Sequence, residues 1–224
     1  MFFDPMYFII IAPALILAFV AQMWLKSAYA KAKKQPARLS GAAAARHILD
    51  SAGLQDVAVE QVPGELSDHY DPSHRVLRLS PHVYHDRTAA AVGIAAHEAG
   101  HAIQHATNYA PLIVRNMAVP IASFGSSTSI FMLIGGIIFG WAPLLYLGIA
   151  LFSGVVFFQL INLPVEFDAS SRAKALLVDH NIVPREEMGA VSNVLWAAAL
   201  TYVAATLQAV LTLVYYLLIA SRRN

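Results

Sequence analysis

Between Met117 and Leu163 no residue carries a charge. A helix needs about 20 apolar residues, each rising 1.5 Å, to cross about 30 Å of hydrocarbon, so this run is about twice the length of one crossing and must fold back on itself. Gly140-Trp141-Ala142-Pro143 lies near its middle and combines turn chemistry with an aromatic suited to a membrane interface. Two helices joined by a tight hairpin are therefore expected, and both outer ends emerge on one side.

Two more stretches are long enough to cross. Met6–Leu25 is free of charge, and Val194–Ala220 has few polar interruptions, Thr201, Thr206 and Gln208 among them. Only 13% of the 224 residues are charged, against about 25% in an ordinary soluble domain. The expectation is a mainly α membrane protein of about four transmembrane helices, with a small α+β domain assembled from two polar segments. The boundaries implied are an anchor over 1–25, a polar segment over 26–116, the hairpin over 117–163, a second polar segment over 164–193 and a last helix with its tail over 194–224.

Lys26, Lys31, Lys33, Lys34 and Arg38 follow the first apolar segment, and the positive-inside rule places them in the cytoplasm. Ala28-Tyr29-Ala30 is similar to a signal-peptidase site, but no basic region precedes the apolar stretch, which favours a retained anchor. Four crossings from an outward start leave Arg222 and Arg223 outside, against the rule. Either the first basic cluster dominates, or the last segment lies re-entrant or interfacial; four crossings are the expectation. Both polar segments then face the cytoplasm of a bacterial plasma membrane.

A net charge of +1 without basic runs excludes a nucleic-acid partner. With no cysteine, any metal must be held by His, Asp or Glu. In the first polar segment Gly41–Ala52 reads as a helix stopped by Gly53, and Val57–Gln61 as a short strand. His74–Ser80 alternates apolar and basic residues like a strand near a solvent-exposed edge, a place where an extended peptide can add, and Asp71-Pro72-Ser73 supplies the turn before it. Asp86-Arg87-Thr88 opens a helix over Ala89–Thr107. In the second segment Pro164 is expected to break the membrane helix, and Val165–Val178 to form a new one.

The predicted Ala89–Thr107 helix carries His97-Glu98-Ala99-Gly100-His101, an H-E-x-x-H pattern. Residues four apart share a helical face with Cβ atoms about 5–6 Å apart, so His97 and His101 converge on one Zn2+ at about 2.0–2.1 Å. Glu98 is placed to act as general base on a water at that metal. His105 extends the face, but eight residues place it about 12 Å from His97 along the axis, too far to share the ion. It is expected to support a ligand or to be a plain polar residue. The second segment offers Glu166, Asp168, Asp179 and His180 as the third ligand. Glu166 is favoured because it starts a helix, with Asp168 nearby to orient a ligand, although carboxylates at helix starts also serve the dipole. Tyr84, His180 and Arg172 are candidates for stabilising an oxyanion.

His69, His74, His82 and His85 lack regular spacing and are expected at a solvated surface. Gly125–Ser129, Gly135-Gly136 and Gly148 suit close helix packing, and Asn162 suits a cap or an interhelical bond.

In Ala96-His97-Glu98-Ala99-Gly100-His101-Ala102, in Leu163-Pro164-Val165-Glu166-Phe167-Asp168-Ala169-Ser170 and in the order of apolar segments, the chain resembles the YugP-type neutral zinc metallopeptidases of bacterial membranes. These are related in pattern to the HtpX-like proteases. The resemblance implies a gluzincin-like site completed by Glu166 and, as substrates, membrane or misfolded proteins. The HtpX-like pattern has an Asp four residues after the ligand Glu, where this chain has Ser170, with Asp168 at plus two. The competing function is a catalytically silent scaffold or chaperone with a structural zinc. A heme protein or transporter is disfavoured by the absence of ionisable groups within the apolar runs.

Overall fold

The structure, a computed structural model, describes residues 4–222; Arg223 and Asn224 of the basic tail lie outside the described residues. In chain order the elements are α1 (Pro5–Ala32), α2 (Gly41–Ser51), β1 (Ala58–Gln61), β2 (His69–Asp71), β3 (Val76–Leu79), α3 (Pro81–His85), α4 (Ala89–Ala106), α5 (Ala110–Ile138), α6 (Ala142–Asp179) and α7 (Met188–Ser221). A single 3-10 turn over Arg185–Glu187 leads into α7. Among the described residues α1, α5, α6 and the stretch Arg185–Ser221 are long and apolar enough to cross a membrane. The chain is thus a mainly α membrane protein with a small α+β portion, and it divides into two compact units.

One unit comprises the chain up to Ala21, Ala110–Pro164 and the chain from Leu200. Its outward side chains are large and apolar, with Ile9, Phe131 and Phe139 each more than 70% exposed, the pattern of helices whose solvent is lipid. Gly140, at φ +63°, makes the turn between α5 and α6. The two helices pack through small residues. A Cβ on Gly136 would sit 2.5 Å from the Leu145 nitrogen, and one on Gly148 2.9 Å from that of Leu133. Asn162 forms an interhelical bond, its Oδ1 accepting from Arg115 Nε at 3.2 Å.

The other unit comprises Gln22–Tyr109 and Val165–Ala199. Its core holds Ile48, Leu49, Leu77, Leu79, Val83, Val92, Leu177 and Val191, all fully buried, each worth about 1.5–3 kcal/mol of removal from water. Ala28 and Ala32, from the end of α1, belong to the same core. Two helices start on side-chain caps: Ser40 Oγ accepts from Ala43 N and Thr88 Oγ1 from Ala91 N, both at 3.3 Å, satisfying amides that a helix start leaves orphaned.

Two expectations are corrected here. β3 is the central strand, in the order β1-β3-β2, parallel to β1 and antiparallel to β2. Val76, Leu77 and Leu79 are all buried, Leu77 and Leu79 in one core with Ile48 and Leu49 of α2 and Val92 of α4; the alternation with Arg75 and Arg78 simulated an edge. Asp71 closes the β2–β3 turn. Its Oδ1 accepts from Ser73 N and His74 N, while Oδ2 takes Arg78 and His74, and this holds its carboxyl far below the usual range. Secondly, Pro164 does not break α6. Continuing costs one backbone hydrogen bond and some strain, whereas ending the helix in apolar surroundings would orphan several carbonyls and amides.

The entry to α2 is tightly fitted: a Cβ on Gly41 would collide with the Val83 carbonyl oxygen, whereas Gly189 has no such neighbour within 4 Å. Gly41→Ala should therefore destabilise by about 1–3 kcal/mol. Gly189→Ala should stabilise by up to about 1 kcal/mol through helix propensity. Thermal midpoints in detergent should move in opposite directions.

Candidate metal centre

α4 and α6 build the site within the second unit. His97 and His101 lie one turn apart on α4 with ring centroids 4.8 Å apart, and Glu166, on α6, reaches both. His97 Nε2 is 3.2 Å from Glu166 Oε2, and His101 Nε2 is 3.8 Å from Glu166 Oε1. One ligand atom from each residue lies within 4.8 Å of the others. Tetrahedral zinc at about 2.0–2.1 Å from its ligands needs donor separations of about 3.3 Å. Two imidazoles and a carboxylate at these distances fit that ion with small adjustments.

The far nitrogens are tied back. His97 Nδ1 meets Ser170 Oγ at 3.1 Å, and His101 Nδ1 meets Gln104 Oε1 at 2.9 Å, so each Nε2 is left facing the carboxylate. Such outer partners orient imidazole ligands and set their tautomers. Gln104 is completely buried, and its Nε2 donates to the Val165 carbonyl and to Asp168 Oδ2, both at 2.8 Å. Asp168 is paired in turn with Arg172. It therefore reaches His101 only through the Gln104 amide. Four residues beyond Glu166, Ser170 supplies a neutral hydroxyl where the HtpX-like pattern has a carboxylate.

The packing explains the electrostatics. Burial works against a charged His97, but the Glu166 carboxylate on its Nε2, with the negative charges of Glu98 and Glu166, outweighs this and raises the imidazole above its ordinary value. Burial and the neighbouring His97 push His101 below its own. Burial and the nearby carboxylates thus shift the two imidazoles in opposite directions.

Glu98 is 9% exposed, and its Oε2 accepts the Tyr70 backbone N–H at 3.1 Å. Tyr70 belongs to β2, one of the two edge strands of the sheet, so that edge runs beside the H-E-x-x-H turn. Its hydroxyl meets His105 Nδ1 at 2.9 Å. His105 therefore anchors the strand rather than the ligand cluster.

The remaining candidates are engaged in other ways. Arg172 also stacks over the Tyr109 ring. His180 meets Ser51 Oγ at 3.0 Å and the His47 ring edge-on. Tyr84 packs on His85. Of the loop histidines, His74 pairs with Asp71, His82 faces Asp86 and His85 meets Gln61. Gln104, Ser170 and Tyr70 went unrecognised in the sequence. Gln104 was traceable, since it is three residues after His101 and so on the same helical face; Tyr70 had no local signal.

The fit also requires Gly100. A Cβ there would lie 2.9 Å from the Ala169 carbonyl oxygen on α6, and backbone cannot yield as a flexible side chain does. Gly100→Ala should push α6 away and weaken zinc binding at least about tenfold, as measured by chelator competition, because metal ligation tolerates only about ±0.2 Å.

A family model described as "Putative neutral zinc metallopeptidase" matches residues 7–221. Among curated proteins, the "Putative membrane protease YugP" of Bacillus subtilis (strain 168) is 48% identical over 208 residues, 92% of this chain and 92% of the relative. No solved structure matches the chain. A family model spanning nearly the whole length, and a relative this similar over the same extent, make the chain a member of the neutral zinc metallopeptidase family, a multi-pass membrane protein with zinc as its cofactor.

Proposed function

We propose that this chain is a membrane-embedded, gluzincin-type endopeptidase in which His97, His101 and Glu166 ligate zinc and Glu98 is the general base. The observation that carries the reading is the convergence of two imidazoles and a buried carboxylate, with their far nitrogens tied back and a second carboxylate one residue from a ligand. A structural site has no use for that second carboxylate. When bound, zinc supplies Lewis-acid polarisation of the scissile carbonyl and acidifies the attacking water. Glu98 takes the proton of that water and delivers it to the leaving amine. β2, with its outer edge beside Glu98, offers backbone groups to an extended peptide, a part for which the central β3 is unsuited.

The polar segments 26–116 and 164–193, separated by a double crossing, together form the catalytic portion. It faces the cytoplasm of a bacterial plasma membrane, as the five basic residues from Lys26 to Arg38 favour. Four crossings carry Arg222 outward. Because Ala28 and Ala32 are built into the core of the catalytic unit, cleavage after Ala30 would damage that core, which supports a retained anchor. A cytoplasmic site on a membrane-anchored chain suits membrane or misfolded proteins as substrates, and hence quality control.

Purified protein should contain about one zinc per chain and cleave an unfolded polypeptide in detergent. Glu98→Gln should keep the zinc and lose about 10²–10⁴-fold in turnover, the range of general base catalysis. Stripping the metal should abolish cleavage, and zinc should restore it. Equal turnover by both proteins rejects the assigned base; zinc without turnover in the wild type identifies a silent scaffold.

A further inference from the structure

The bonds around Gln104 define a chemical state as well as a position. Its Nε2 has two protons and two acceptors, the Val165 carbonyl and Asp168 Oδ2, both at 2.8 Å. An amide turned the other way would set its oxygen against two acceptors, so Oε1 must face His101. An amide oxygen has no proton to give. The 2.9 Å contact with His101 Nδ1 therefore exists only if that nitrogen carries the proton. Gln104 is 0% exposed, so bulk water does not compete for the bond. Ser170, on His97, imposes no such state, because a hydroxyl both donates and accepts.

We infer that Gln104 is the positioning residue of the metal centre: it fixes His101 as its Nδ1–H tautomer, with the Nε2 lone pair turned to the metal. Asp168 and Arg172 act through it, by holding the amide in that orientation. The inference rests on the zinc-site reading above. Asp168 is kept one amide away from the ligand, so His101 receives a neutral partner where a carboxylate would make it more basic.

The test uses the full-length chain in detergent. Zinc affinity by chelator competition and the visible spectrum of the cobalt-substituted protein are compared for wild type, Gln104→Met and Gln104→Glu. The methionine keeps the shape and loses every bond; the glutamate keeps the acceptor for His101 but loses both donors, to Val165 and to Asp168. Gln104→Met should lose about 10–100-fold in zinc affinity, as removal of such a partner does elsewhere, with an altered cobalt spectrum. Gln104→Glu should lose clearly less than Gln104→Met, because it alone keeps an acceptor for His101 Nδ1, although both variants lower the metal-free thermal midpoint. Wild-type affinity in Gln104→Met, or equal losses in the two variants, overturns the inference and leaves Gln104 a structural tie. Nitrogen-15 NMR of histidine-labelled, metal-free wild type decides the matter without a variant: His101 as the Nε2–H tautomer overturns it, and as Nδ1–H supports it. A wild-type chain that binds no zinc defeats the proposed function instead, while the tautomer still scores the inference.

Discussion

The site exists because α4 and α6 come close enough for the backbone of one to lie against the other. At Gly100 the separation leaves no room for a methyl group facing Ala169. This brings Glu166 within 3.2 Å of His97 Nε2 and 3.8 Å of His101 Nε2. Larger residues would hold two helices about 8–10 Å apart or more, and a short carboxylate side chain could not then meet both imidazoles. The small residue inside H-E-x-x-H is as necessary to the cluster as the histidines.

Close approach also buries the polar groups, and burial makes each pairing consequential. An unpaired polar atom in such a place costs about 1–3 kcal/mol, and here the partners form a chain: Arg172 to Asp168, Asp168 to Gln104, Gln104 to His101. On the other imidazole a single hydroxyl, Ser170, suffices. One glutamine spans α4 and α6, bonding the carbonyl of Val165, the residue before Glu166. Helix packing and ligand orientation are therefore the same set of bonds.

The long apolar helices impose a second constraint. α6 continues through Pro164 to Asp179, so Glu166 stands within a helix and not on a loop. A carboxylate on such an element is held with less freedom than one on a loop, which suits a ligand position that must be accurate to tenths of an ångström. The preference of a helix in apolar surroundings to keep its hydrogen bonds thereby reaches the chemistry of the site.

Much of this was legible from local pattern. Apolar runs of a given length report crossings because the bilayer has a fixed thickness, and H-E-x-x-H reports an imidazole pair because the helix has a fixed pitch. Glu166 could be favoured by its place after a crossing. The role of Asp168, the central place of β3 and the continuity of α6 were not legible. Edge and centre depend on which strands pair, and a proline's effect depends on what surrounds the helix. Tyr70 and Ser170 lie 28 and 73 residues from their partners Glu98 and His97. Periodicity along the chain by itself determined the membrane helices, the paired histidines and the carboxylate beside them. Only the tertiary structure decided which neutral groups hold those histidines and which strand runs beside Glu98, because these are contacts between distant segments and no local spacing encodes them.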